Sequence, residues 1–120
     1  MKALFVEYPA CSTCQKARKW LEEHGIACES RNIRENRPTA EELKLWHGKS
    51  GLELRKFFNT SGMRYKELGL KDRLPHMTPE EMYAILATDG MLVKRPILVK
   101  GDTVLTGFRQ AEWEKALSDE

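Results

Sequence analysis

Cys11 and Cys14, the ends of Cys11-Ser12-Thr13-Cys14, are the residues of this 120-residue chain best suited to chemistry. A thiolate is a nucleophile, and a second sulfur about one helical turn later can displace whatever the first has captured. The pattern lies between an apolar run, Ala3-Leu4-Phe5-Val6, and a stretch of helical periodicity from Ser12 to His24. A helix start offers unpaired N–H groups and a partial positive charge, which together lower a cysteine's pKa below its free value of about 8.5. Cys11, exposed in the loop, is expected to attack. Cys14, packed beneath it, is expected to resolve. Two plainer readings stand beside this one. The pair could be half of a metal site, but Cys28, His24, His47 and His76 offer no second paired spacing toward four ligands. It could also be two inert buried thiols, and Cys28 reads as core in the same way.

The elements that must position these residues follow from periodicity. Lys2 to Tyr8 reads as a buried strand that Pro9 ends. Ser12 to His24 reads as a helix with Cys14, Ala17 and Leu21 on one face and Gly25 as its stop. Ile26 to Ile33 reads as a second strand, with Cys28 as an alternative start. Thr39 with Glu42, and Thr78 with Pro79 and Glu81, mark two helix starts. Between them, Leu52 to Phe58 and Tyr65 to Leu68 read as short helical pieces separated by Gly62. Ile97 to Val99 and Thr103 to Thr106 flank Gly101-Asp102 as a hairpin, and Gln110 to Leu117 closes the chain as a helix. The order is β-α-β, a block of helices, then β-β-α. Its first crossover is right-handed and parallel, and the hairpin adds an antiparallel edge. That is an α/β, thioredoxin-like fold with a mixed sheet. The chain reads as one domain, 1–120, with a helical insertion over about 38–90.

In this topology a proline at the position of Pro96 faces the cysteine loop and is often cis, a form otherwise rare. Arg95 then stands near Cys11, where a guanidinium stabilises a thiolate or grips an anion. Read without the fold, the same pair is a surface arginine beside a turn proline. Ser12 and Thr13 could donate to an anion held in the cysteine loop. Lys94, Arg64 and Arg109 could add positive potential. Trp20, Trp46 and Trp113 read as packing, and Phe57, Phe58 and Met63 read as core before they read as a partner surface.

Composition narrows the classes. The chain is 41% hydrophobic and 32% charged, with 20 Lys and Arg against 18 Asp and Glu, for a net charge of +2. That suits one packed core and excludes disorder. So small a charge argues against nucleic-acid or membrane binding. No apolar run approaches the roughly 18 residues of a membrane span. The apolar stretch before Glu7 is too short for a signal peptide, so a cytoplasmic location is expected. Three cysteines, an odd number, argue against a disulfide framework and for redox or metal chemistry.

Several motifs in order carry a family resemblance. Tyr8-Pro9-Ala10-Cys11-Ser12-Thr13-Cys14-Gln15-Lys16-Ala17-Arg18-Lys19-Trp20-Leu21-Glu22-Glu23, then Tyr65-Lys66-Glu67-Leu68-Gly69-Leu70, then Lys94-Arg95-Pro96-Ile97, then Gly107-Phe108 resemble the arsenate reductase (ArsC)/Spx family over nearly the whole chain. The resemblance implies a thioredoxin-like fold with a helical insertion. In its arsenate reductases a cysteine matching Cys11 attacks arsenate, and glutathione with glutaredoxin completes the reduction. Three arginines hold the oxyanion there. Arg95 matches one, Arg109 lies near another, and Asn59 stands where the third belongs. Those enzymes also carry a single cysteine in the loop. The Spx-type members are regulators that bind RNA polymerase and use the CxxC as a redox switch. This chain differs from them in Asn59-Thr60-Ser61-Gly62 and in its short acidic end, Ser118-Asp119-Glu120.

The expectation is thus a thiol–disulfide oxidoreductase with Cys11, Cys14 and Arg95 as its reacting set and Ser12, Thr13, Pro96 and Arg109 around the substrate. A redox-sensing regulator that binds RNA polymerase is the alternative, and an arsenate reductase is the third. The expected partner is a thiol reductant of the glutathione, glutaredoxin or thioredoxin type. No metal, no cofactor, no nucleic acid and no membrane are expected, and the chain is expected to be a monomer.

Overall fold

Ala3, Phe5 and Val6 leave almost no surface to water, so the first strand, β1 (Ala3–Glu7), must be covered on both faces and paired on both edges. In the computed structural model, which describes residues 2–118, that is its position. The sheet order is β2-β1-β3-β4. β2 (Cys28–Asn32) runs parallel to β1 with Ala3 opposite Cys28 and Glu7 opposite Asn32. β3 (Ile97–Lys100) runs antiparallel to β1, with Phe5 opposite Leu98. β4 (Thr103–Thr106) returns beside β3 across Gly101-Asp102, and Gly101 takes the left-handed φ of 58° that this turn needs. The chain therefore has a mixed-sheet, α/β, thioredoxin-like fold.

α1 (Ser12–Glu23) makes the crossover from β1 to β2. It buries Cys14, Ala17, Trp20 and Leu21, one stripe of its surface. Its end is fixed by Gly25 at φ 65°: Gly25 N–H bonds to the Glu22 carbonyl and Ile26 N–H to the Leu21 carbonyl, at 3.1 and 3.0 Å. Sequence reading extended the first strand to Lys2–Tyr8, longer than observed, and ran the second on to Ile33, while its alternative start at Cys28 is the observed one. The β2 segment is polar and has no fully buried residue, as suits an outer strand.

The chain divides into two compact units. One joins the segment up to Asn32 with the segment from Arg95 onward. Its core packs Phe5 and Leu98 of the sheet against Trp20 of α1 and Trp113 of the last helix. Trp113 is held edge-on to Trp20 at 6.0 Å and donates its indole N–H to the Gly107 carbonyl at 3.1 Å.

The other unit, Ile33–Lys94, is helical. α2 (Ala40–Ser50) and α5 (Pro79–Leu86) start at Thr39 and Thr78, and both show the reciprocal capping box read from sequence. Between them lie a 3₁₀ turn at Leu54–Phe57, α3 (Met63–Glu67) and α4 (Leu70–Arg73). Phe57 and Phe58 are core, whereas Met63 is 78% exposed at the first position of α3. α6 (Gln110–Leu117) closes the first unit, with the bounds its periodicity predicts. Asp119 and Glu120 of the acidic end lie outside the described residues.

Candidate functional site

Tyr8 to Ala10 turn the chain from β1 into α1, and Cys11 N–H closes that turn on the Tyr8 carbonyl at 3.0 Å. Cys11 is the N-cap of α1, with extended φ and ψ of −81° and 122°. No side chain caps this helix end, so the first N–H groups remain open to the Cys11 sulfur. Burial, the largest single influence, disfavours a thiolate there. It is outweighed by hydrogen bonds from the Cys14 N–H, the Cys14 thiol and the Thr13 N–H, together with the positive charge of Arg95, and Cys11 ends below its ordinary pKa.

Cys14 sits at the other extreme. It is 0% exposed, and burial is the main reason that its pKa is pushed up to about 12. The Tyr8 N–H, 3.5 Å from its sulfur, works against that rise. Its hydrogen bond to Cys11, the Cys11 charge and the Glu7 charge all add to it. The two sulfurs three residues apart are therefore differentiated: one is held toward thiolate, the other is kept as the thiol that donates to it. All three cysteines are free. Cys28 stands apart on β2, half-buried, with its thiol donating to the Ile26 carbonyl at 3.6 Å. Burial pushes its pKa up, against the charge of Lys100.

The other sequence candidates are placed unequally. Arg95 is half-buried, lies over the Tyr8 ring at 5.5 Å and acts on Cys11 through its charge. The Arg95–Pro96 bond is cis, and Pro96 is buried, accepting from Gly107 N–H at 2.8 Å. Ser12 and Thr13 open α1, the first exposed and the second half-buried with its N–H on Cys11. Arg109 is the N-cap of α6 with a 79% exposed side chain, and it pairs with Glu112 at 3.5 Å. Arg64, Lys94 and Asn59 belong to the helical unit. There Arg64 faces Asp89 at 3.7 Å. Asn59 is tied into its own loop by bonds to the Met91 carbonyl and from the Ser61 hydroxyl.

Sequence reading passed over two neighbours of the cysteines. Tyr8 carries the backbone N–H on Cys14 and the ring under Arg95. Glu7 reads as the polar end of an apolar run. It is instead only 5% exposed and is the single charged residue in the buried class among the described residues. Its carboxylate is paired with Arg18 of α1. Arg18 follows Cys14 by four positions and so shares its face, which is the one signal in the sequence that could have exposed the pairing. Among the described residues no group of three or more His, Cys, Asp or Glu could hold a metal ion, and no helix is long and apolar enough to cross a membrane.

Comparison with known proteins places these features. Residues 6–116 match the ArsC family. The uncharacterized protein YusI of Bacillus subtilis is 51% identical over 115 residues, covering 96% of this chain and 98% of that one. The global transcriptional regulator Spx of Staphylococcus haemolyticus is 31% identical, covering 98% of this chain and 87% of that one. Among solved structures, an ArsC-family-related protein from Bacteroides fragilis superposes with a TM-score of 0.93 at 59% identity, covering 97% of this chain and 98% of that one. An arsenate reductase from Vibrio cholerae superposes with a TM-score of 0.83 at 28% identity, covering 98% and 97%. The chain belongs to the ArsC family.

Proposed function

We propose that this chain is a thiol–disulfide oxidoreductase of the ArsC family in which Cys11 is the nucleophile and Cys14 the resolving thiol. The observation that carries the reading is the placement of the two sulfurs: Cys11 stands at the uncapped start of α1, and Cys14 lies one turn on, wholly buried with the Tyr8 N–H on its sulfur. The charge of Arg95 favours the Cys11 thiolate, and burial keeps Cys14 protonated. The Cys11 thiolate attacks one sulfur of a substrate disulfide, forming a mixed disulfide and releasing the first substrate thiolate. Cys14 then loses its proton and attacks the Cys11 sulfur. The Cys11–Cys14 disulfide forms, the second substrate thiol leaves, and two electrons have passed to the substrate. A thiol reductant of the glutathione, glutaredoxin or thioredoxin class returns the pair to its reduced form. Arg95, beside Pro96, holds the thiolate or an anionic part of the substrate. Ser12 and Thr13 line the entry, and Arg109 adds positive charge. The protein works as a cytoplasmic monomer without cofactor or metal.

The test uses two variants with a low-molecular-weight disulfide. Cys11→Ser is expected to lose all turnover, and Cys14→Ser to accumulate a mixed disulfide visible by intact mass. Full turnover by Cys11→Ser contradicts the proposal.

One observation favours a second reading. The identity to Spx extends over 98% of the chain, which supports a regulator whose cysteine pair senses oxidation and sets its affinity for RNA polymerase. That reading predicts capture of polymerase subunits by the tagged chain, with a yield that changes on oxidation. Their absence under both reducing and oxidising conditions removes it. Arsenate reduction with glutathione and glutaredoxin is the third reading. Asn59 speaks against it, because a missing charge-assisted contact weakens the grip on a dianion.

A further inference from the structure

A folded chain rarely buries a carboxylate without a use for it, because removal from water disfavours the charge. Glu7 is so buried, and it lies at the end of β1 immediately before the residue whose N–H bonds to Cys14. Arg18 reaches it from α1, one turn beyond Cys14. On β2 the residue opposite Glu7 is the neutral Asn32, and on β3 the residue opposite its neighbour Val6 is the apolar Ile97. Arg95, just before β3, faces Tyr8 and Cys11. The ionisable groups gathered here include Glu7, Arg18 and the cysteine pair, with Arg95 and Tyr8 on the Cys11 side.

We propose that Glu7, held by Arg18 at the buried end of β1, is the base that takes the Cys14 proton when Cys14 displaces the captured substrate. The inference rests on the oxidoreductase reading above and assigns the one proton that reading leaves without a destination. Before the step the buried group carries one carboxylate against the Arg18 cation, and Cys14 is a neutral thiol. A second negative charge beside Glu7 is strongly disfavoured in so dry a place. Moving the proton from the Cys14 sulfur to Glu7 shifts the negative charge without adding one. The freed Cys14 electron pair forms the bond to the Cys11 sulfur, and the bond from Cys11 to the substrate sulfur breaks. The departing thiolate is reprotonated as Glu7 gives up its proton and returns to the Arg18 pair. Arg18 is a positioning residue, and Glu7 alone exchanges a proton with a reacting atom.

The test follows both steps in one trace. The reduced chain is mixed with a chromogenic aromatic disulfide. Attack by Cys11 releases the first coloured thiolate, and resolution by Cys14 releases the second. Glu7→Gln keeps the shape and removes the base. Its first release is expected to match the parent, while its second slows on the order of 100-fold. Glu7→Asp is expected to recover part of that loss. A role in packing alone does not move the ratio of the two releases. Should Glu7→Gln unfold because Arg18 loses its partner, Glu7→Gln/Arg18→Met removes both charges and is read in the same way. A second release as fast as the parent's in either variant overturns the assignment of Glu7 while leaving the cysteine chemistry standing. A parent that releases no second thiolate overturns the oxidoreductase reading itself, and the assignment of Glu7 with it.

Discussion

Against burial, the largest influence on the Cys11 sulfur, four groups favour its thiolate: the Cys14 N–H, the Cys14 thiol, the Thr13 N–H, and the Arg95 guanidinium acting through its charge. Arg95 is the one that a substitution removes without touching the helix. Arg95→Ala is expected to raise the Cys11 pKa, because the positive charge that favours the thiolate is gone. The rate of Cys11 alkylation at neutral pH should fall accordingly, and an unchanged rate would assign the shift to the helix start alone. The same displacements govern stability. Below about 8.5, the free cysteine value, and above the lowered Cys11 value, the folded chain has lost a proton that the unfolded chain keeps. Cys11 therefore stabilises the reduced fold increasingly as pH rises toward about 8.5, and that stability is lost as pH falls through its folded pKa. Cys14 acts with the opposite sign. Between about 8.5 and about 12 the folded chain holds a proton that the unfolded chain has released. Stability then falls with pH, at most by about 1.4 kcal/mol per pH unit. Denaturant midpoints measured across this range should show the alkaline decline steeper in the reduced parent than in Cys14→Ala. Equal slopes contradict the burial of a protonated Cys14. Cys11, Cys14, Arg95 and Pro96 could be named from the sequence because a helix start and a strand start each leave a local signature. Glu7 could not, because burial of a charge is decided by which element lies over it.

At the scale of elements, termini written in short motifs were legible. Both capping boxes, the Gly25 stop and the Gly101-Asp102 turn satisfy their backbone groups locally, so the chain announces them. The segment from Leu70 to His76 was not legible. Its α4 and the 3₁₀ turn that follows are too short to show a period, and they hold together through Leu70 and Leu74 against the rest of their unit. Asp89 caps a 3₁₀ turn by accepting from Met91 N–H at 2.9 Å. Gly90 is required there for contact rather than for φ: a Cβ would stand 1.9 Å from the Ile33 carbonyl oxygen, a backbone atom that cannot turn aside. Gly90→Ala is expected to destabilise the chain by about 1–3 kcal/mol, as overpacking does. A denaturant midpoint equal to the parent's contradicts that close approach.

At the scale of the molecule, membership of the ArsC family joins two kinds of relative, a reductase and a regulator. The order of strands and helices points to the scaffold because crossovers and hairpins follow few rules. It does not choose between the relatives, because both kinds share the scaffold and function resides in the site. Asn59 and the second loop cysteine, Cys14, are where the sequence departs from the arsenate pattern that the resemblance implies. Restoring an arginine there is not expected to create arsenate turnover, because Asn59 is built into its loop through Met91 and Ser61. Asn59→Arg should cost about 1 kcal/mol of stability through those bonds. Arsenate reduction by the parent, assayed with glutathione and glutaredoxin, would contradict this part of the account.

Every step proposed for the cysteine pair begins from a thiolate at Cys11. The most direct measurement is a spectroscopic titration of thiolate in the reduced chain, repeated in Cys11→Ser. The account predicts one thiolate forming below the ordinary cysteine range of about 8.5, lost in Cys11→Ser, with Cys14 titrating far above it. A Cys11 that ionises at or above that range, or a low-pH thiolate that survives in Cys11→Ser, would contradict it.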